Sequence, residues 1–273
     1  MKCHHLMVNV HSWASLEKSI AGLQDEKARG DAFEVFCAAY LKLIPEYCFK
    51  SIFSHGHLPK WIIDQLRLTG QKDQGIDLIA VTNDDKIWAI QAKFRSDRSV
   101  TVPYRELSTF LGISDRADYR LIISNTNILP PVVQRRSHFG EVLVDRLDAL
   151  DADFFSRLSV YAQGQKPAPI RPFTPKDHQI RAIQAAVDHF KVEDRGQLIM
   201  ACGTGKTLTS VWIAEHLKAK ATLVMVPSLA LMRQTVSVWA KNYKKGPFNY
   251  FCICSDDSVA DDIKSDYATS NLW

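Results

Sequence analysis

The chain has 273 residues, 46% of them apolar and 23% charged, a composition that excludes the disordered and fibrous classes and has room for about two domains of the usual 100–200 residues. No run of about 18 apolar residues occurs, so no membrane-spanning helix is expected, and residues 1–10 place two histidines where an export signal would carry its apolar run. Residues 1–160 hold 20 Lys and Arg against 20 Asp and Glu, and the remainder 14 against 10, so a nucleic-acid partner has to be argued from sites and not from bulk charge.

From residue 15 to about residue 43 the pattern is helical. Leu16, Ile20 and Leu23 repeat at helical spacing, as do Phe33, Phe36, Cys37, Tyr40 and Leu41. A break is expected near Gly30, and Pro45 ends the run. After a mixed stretch containing Trp61, residues 76–81 form a short apolar strand, Asn83-Asp84-Asp85 carries turn chemistry, and residues 86–94 form a second strand. The two are expected to pair as a hairpin. Residues 104–111 are amphipathic, 121–123 read as a buried strand, and 131–136 as a short helix. Residues 141–144 read as a strand and 147–158 as a helix. This alternation predicts a mixed α/β sheet with helices on both faces.

The texture changes over residues 161–175, where Pro167, Pro169, Pro172 and Pro175 fall among Gln, Gly and Lys, the composition of a linker. The expected organisation is therefore a first domain over 1–160, a linker over 161–175 and a second domain over 176–273. In the second domain a helix over 178–191 leads to a strand at 197–200, a Gly-rich loop, a helix over 207–217 and a strand at 222–226, which is a βαβ unit of the doubly wound kind. The six cysteines, Cys3, Cys37, Cys48, Cys202, Cys252 and Cys254, form no C-x-x-C pair. They read as reduced thiols, in keeping with a cytoplasmic protein. Cys48, His55 and His57 could be drawn as a zinc site, but no second paired set accompanies them, and the simpler reading is a loop.

Gly203-Thr204-Gly205-Lys206-Thr207 stands between an apolar strand and a helix, which is where a phosphate-binding loop belongs. The glycines let backbone N–H groups close around phosphate oxygens, and Lys206 offsets their charge. Thr207 offers a hydroxyl to Mg2+, and the helix N-terminus adds partial positive charge. ATP with Mg2+ is the expected ligand. The strict pattern wants a small residue at position 200, where this chain has Met. Residues 200–207 resemble motif I of superfamily 2 helicases. Pro172-Phe173 with His178-Gln179 resembles the segment whose glutamine reads adenine there, which implies that role for Gln179. Residues 226–234 resemble motif Ia, which contacts the DNA backbone. After Thr207 no apolar strand ends in an acidic pair, and Asp256-Asp257 and Asp261-Asp262 lie in polar sequence. The expected second domain is thus an incomplete RecA-like lobe that binds ATP weakly and turns it over negligibly.

The hairpin carries the other chemistry. Side chains alternate along a strand, so Ile87, Ala89, Gln91 and Lys93 share one face, Asp77 can lie beside them, and Glu34 can approach from the preceding helix. Carboxylates that hold Mg2+, with a lysine that orients water or stabilises the pentavalent charge, are what phosphodiester hydrolysis needs. Asp73 is an alternative acidic partner. Arg95, Arg98 and Arg105 near Lys93, and more weakly Arg135-Arg136, are candidate phosphate contacts, which would make binding fall steeply with salt.

Asp77 followed by Gln91-Ala92-Lys93 resembles the D…Q-x-K core of Mrr-like nucleases, a branch of the PD-(D/E)-x-K superfamily. Arg29-Gly30 with Phe33-Glu34 is similar to its first helix, and residues 75–79 to its central strand. The resemblance covers roughly residues 28–125 and implies a restriction-endonuclease-like mixed sheet flanked by helices. An Mrr-like nuclease ahead of a superfamily 2 motor is the order found in single-polypeptide type I restriction enzymes and related defence helicase–nucleases. That order implies a double-stranded DNA substrate, and partner regions, namely the rest of the helicase and methyltransferase or target-recognition parts, beyond this sequence. Two rivals are a DNA-binding module that has lost cleavage, and a regulatory P-loop ATPase. RNA is a further possible substrate.

Overall fold

The computed structural model describes residues 3–47, 49–54, 57–69, 75–134, 138–244, 250, 252–253 and 268–269. Two compact units emerge, one drawn from Met1–Ala168 and Ser255–Trp273 and the other from Pro169–Cys254.

In the first unit, helices α1 (Trp13–Ala21) and α2 (Glu26–Leu43) divide the segment expected to break near Gly30. The break falls instead between Gly22 and Asp25, because capping decides it. The Asp25 carboxylate accepts the Ala28 N–H at 2.7 Å and so satisfies a donor that no helix bond reaches. Gly30 stands inside α2 with no atom within 4 Å of where a Cβ would lie. A glycine there weakens the helix by about 0.5–1 kcal/mol without ending it.

The sheet has five strands in the order β1 (Ser51–Ser54), β2 (Leu78–Val81), β3 (Ile87–Lys93), β4 (Tyr119–Ser124), β5 (Phe139–Val142). The first three run antiparallel, and β4 and β5 run parallel to β3. The β2–β3 connection is closed by the Thr82 N–H bonded to the Lys86 carbonyl at 3.0 Å, with Asp85 at φ 60°. A parallel return needs a crossover, and α4 (Tyr104–Ile113) supplies it between β3 and β4. Neither β1 nor α3 (Lys60–Leu66) was anticipated. The strand expected at 141–144 lies earlier, since Val144 opens α6 (Val144–Asp148), and the helix expected over 147–158 is divided. Asp151 caps α7 (Ala152–Ala162) by accepting the Phe154 N–H at 2.8 Å. A one-turn helix, α5 (Pro131–Gln134), precedes β5.

Period-two alternation divides the core into two layers. Leu78, Ala80, Trp88, Ile90 and Ala92 pack with the buried faces of α1, α2 and α7. Ile79, Val81, Ile87 and Ala89 pack with α3 and α4 on the other side. Buried on both faces, β2, β3 and β4 read as apolar runs.

The second unit holds α8 (Asp177–His189), α9 (Lys206–His216) and α10 (Leu229–Asn242) around a small core of Ile183, Val211, Trp212 and Trp239. Ser228 starts α10 by accepting the Leu231 N–H at 3.4 Å. The strands expected at 197–200 and 222–226 are not formed. Ile199, Leu223 and Met225 are 83%, 83% and 86% exposed. A parallel strand exists only where a neighbour supplies ladder partners, and among the described residues neither segment has one.

Candidate active site

The β2–β3 register sets Leu78 opposite Ile90, so one step further Asp77 faces Gln91. The Asp77 N–H continues the ladder to the Ile90 carbonyl at 3.0 Å. Its carboxylate then stands in for the next ladder acceptor, taking the Ala92 N–H at 2.7 Å and the Gln91 Nε2–H at 3.3 Å. Gly75, at φ +91° with Phe110 and Thr109 packed close behind it, makes the turn that delivers Asp77. Gln91 and Lys93 share Asp77's face by alternation. Asp77 is 8% exposed and Gln91 3%, while Lys93 is half-buried at the end of β3.

One end of the Gln91 amide has no partner, for its Oε1 is buried without a hydrogen bond. An orphaned buried acceptor of this kind costs about 1–3 kcal/mol. An oxygen so placed beside a carboxylate matches what a divalent cation takes as ligands, so the residues present fit Mg2+.

Glu34 lies on α2, in the helix layer against the opposite face. Cys37 lies one turn further along α2. Burial raises the Cys37 thiol well above its ordinary pKa, and the charges of Asp77 and Glu34 raise it further. Among the described residues no group of three or more His, Cys, Asp or Glu side chains is arranged to hold a metal.

The arginines divide. Arg95 pairs with Glu106. Arg98 is bound by Glu17 and, through two bonds, by Asp148, and the Glu17 hydrogen bond raises its pKa. Both guanidinium groups already hold carboxylates, whereas Arg105 is exposed on α4. The structure also brings in three residues that no sequence pattern marked, Glu17, Ser124 and Asn125, at the end of the sheet where Lys93 lies. Cys48, His55, Asp73, Arg135, Arg136, Asp256, Asp257, Asp261 and Asp262 fall outside the described residues.

In the second unit the Gly-rich loop opens α9. Gly203 and Gly205 have φ +76° and +83°, the left-handed region open to glycine. Lys206 Nζ bonds the Met200 and Ala201 carbonyls at 3.4 and 3.2 Å. Thr204 Oγ1 donates to the Ala201 carbonyl at 2.7 Å, and Thr207 lies half-buried in the first turn of α9. Gln179 is 4% exposed and directed at this loop. Its Nε2 donates to the Thr204 carbonyl at 3.1 Å, and its Oε1 accepts the Lys176 N–H at 2.9 Å.

The first unit thus sets Asp77, Gln91 and Lys93 on one face of the central hairpin of a mixed sheet, and the second opens α9 with a glycine loop. Residues 50–151 match the family model described as restriction endonuclease, and residues 172–266 that of the type III restriction enzyme res subunit. The chain carries a restriction endonuclease domain followed by a helicase-type domain. The solved structure of an ATP-dependent Type ISP restriction-modification enzyme, LlaBIII, bound to DNA matches 90% of this chain with TM-score 0.69 and 24% identity. This chain spans 16% of that one, and at such identity the likeness speaks for the fold. No curated protein matches. No helix among the described residues is long and apolar enough to cross a membrane.

Proposed function

We propose that the first unit hydrolyses phosphodiester bonds of double-stranded DNA with Mg2+, and that the second is the ATP-binding start of a DNA motor serving restriction or phage defence in the cytoplasm. The observation that carries the first part is the buried Asp77–Gln91 pair with its orphaned Gln91 Oε1, on the face that Lys93 shares. Asp77 and Gln91 would hold the metal, and Glu34 would have to reach it from α2, which packs on the other face of the sheet. When bound, Mg2+ supplies Lewis-acid polarisation of the phosphate and a lowered pKa for the attacking water. Lys93 places a positive charge at the mouth of the site, where it stabilises charge developing on phosphate oxygens. The Ala92 N–H and Gln91 Nε2 both donate to Oδ2 of the Asp77 carboxylate and so fix its orientation. Arg105, exposed on α4, would contact the DNA backbone.

In the second unit, Gly203 to Thr207 would surround the phosphates, with Thr207 the ligand for Mg2+ and Gln179 for adenine. Weak ATP binding is expected, because the segments at 197–200, before the loop, and 222–226, after α9, lack ladder partners among the described residues and Lys206 is engaged by two carbonyls. Coupling to a translocating motor, and any methyltransferase or target-recognition partner, belong to the proposed whole enzyme.

The test is nicking of supercoiled plasmid by the chain in Mg2+, Mn2+ and EDTA, alongside Lys93→Ala. Metal-dependent nicking, lost in the variant while its circular dichroism stays unchanged, is the expected result. Nicking that survives Lys93→Ala or EDTA would overturn the assignment.

A further inference from the structure

Pairing of β3 with β4 ends at Lys93 opposite Ser124, so the ladder no longer holds the backbone just past the lysine. Asn125 takes over. Its Oδ1 accepts the Arg95 N–H at 2.7 Å and its Nδ2 donates to the Arg95 carbonyl at 2.7 Å. The side chain thus makes the two bonds that a neighbouring strand's backbone would make. One residue earlier, the Ser124 hydroxyl donates to the carbonyl of Lys93 itself at 2.8 Å. Ser124 and Asn125 are both fully buried.

The same Asn125 amide is fixed from behind. Its Nδ2 also donates to Glu17 Oε1 at 2.7 Å, and the other oxygen of Glu17 takes Arg98, which Asp148 holds from α6. Three of the four hydrogen bonds an asparagine side chain can make are in place. A buried polar network satisfied to this degree specifies one conformation.

We propose that Ser124 and Asn125 are positioning residues that fix Lys93 for phosphodiester cleavage, with Glu17 and Arg98 bracing Asn125. This rests on the cleavage reading given above. Misplacing a catalytic group by an ångström can lower a rate on the order of 100-fold.

The experiment uses the full chain with Asn125→Ser and Ser124→Ala, singly and each combined with Lys93→Gln. The lysines are 13C-methylated, and the Lys93 signal is identified by its loss in Lys93→Arg. Both positioning variants are expected to move that signal while the Lys27 signal on α2 and the circular dichroism stay unchanged. If Asn125→Ser does not fold, Ser124→Ala decides by the same reading. An unmoved Lys93 signal in a folded variant overturns the proposal.

In Mn2+ with saturating plasmid, each variant is expected to nick about 10- to 100-fold more slowly, with DNA affinity unchanged. No further loss is expected on the Lys93→Gln background, because groups that act through one residue are not additive. Additive losses would assign Ser124 and Asn125 to stability alone and overturn positioning. Absence of metal-dependent nicking by the unsubstituted chain would overturn the cleavage reading, and the Lys93 signal would still decide whether these residues set its place.

Discussion

At Gln91 a single amide faces two environments, its nitrogen bonded to Asp77 and its oxygen buried with no partner. Gln91→Glu keeps the shape and turns the donor into a carboxylate at 3.3 Å from another. Without metal, the variant is expected to melt lower by the equivalent of about 1–3 kcal/mol, from a lost buried hydrogen bond and like-charge repulsion. Mg2+ offsets both charges, so millimolar Mg2+ should raise the melting temperature of Gln91→Glu more than that of the unsubstituted chain. Equal shifts in EDTA and Mg2+ would rule out a cation at this position. A second residue-scale test lies in the nucleotide loop. A Cβ on Gly205 would stand 2.4 Å from Gln179 Nε2, whereas one on Gly203 meets nothing within 4 Å, and both glycines have positive φ. Both alanine variants carry about 1–2 kcal/mol of backbone strain. Only Gly205→Ala also drives Gln179 off the Thr204 carbonyl, so it should weaken binding of a fluorescent ATP analogue more than Gly203→Ala. Equal weakening would separate Gln179 from the loop's function.

Among the elements, those with a strong period were legible and those set by a single hydrogen bond or a distant partner were not. The β2–β3 hairpin followed from its alternation and turn residues, and with it the shared face of Asp77, Gln91 and Lys93. The α1–α2 break escaped because a glycine is a weaker signal than a capping carboxylate, and the two lie five positions apart. Gly30→Ala should therefore stabilise the chain by about 0.5–1 kcal/mol, seen as a higher urea midpoint at unchanged slope, whereas a loss of stability would put the break back at Gly30. The roles of Arg95 and Arg98 were not legible either. Read locally they are cations close in sequence to Lys93, but the Arg98 partner Glu17 lies 81 positions away. Asn125 is 108 positions from the same glutamate, so no local pattern announces the network. The segments 197–200 and 222–226 show the converse. Their sequences favour strands, yet ladder partners are a property of the sheet and not of the segment.

For the whole molecule, each unit has its own core, and the two cores differ in kind. The first has two apolar layers on a five-stranded sheet, and the second, among the described residues, has an apolar cluster of four buried side chains among three helices, with apolar segments exposed. Apolar burial is the main favourable term in folding, so calorimetry of the chain should show two transitions, with the second unit melting first. A ligand of the native state raises stability by RT ln(1 + [L]/Kd), about 1.4 kcal/mol at tenfold excess over Kd. ATP with Mg2+ should therefore lift the lower transition and leave the upper one in place, and Lys206→Ala should abolish that shift. Plasmid DNA in Ca2+, which fills a Mg2+ site with little catalysis, should lift the upper transition instead. A single transition moved by both ligands would mean that the two units unfold as one, and the nuclease and the nucleotide loop would then share stability as well as a chain.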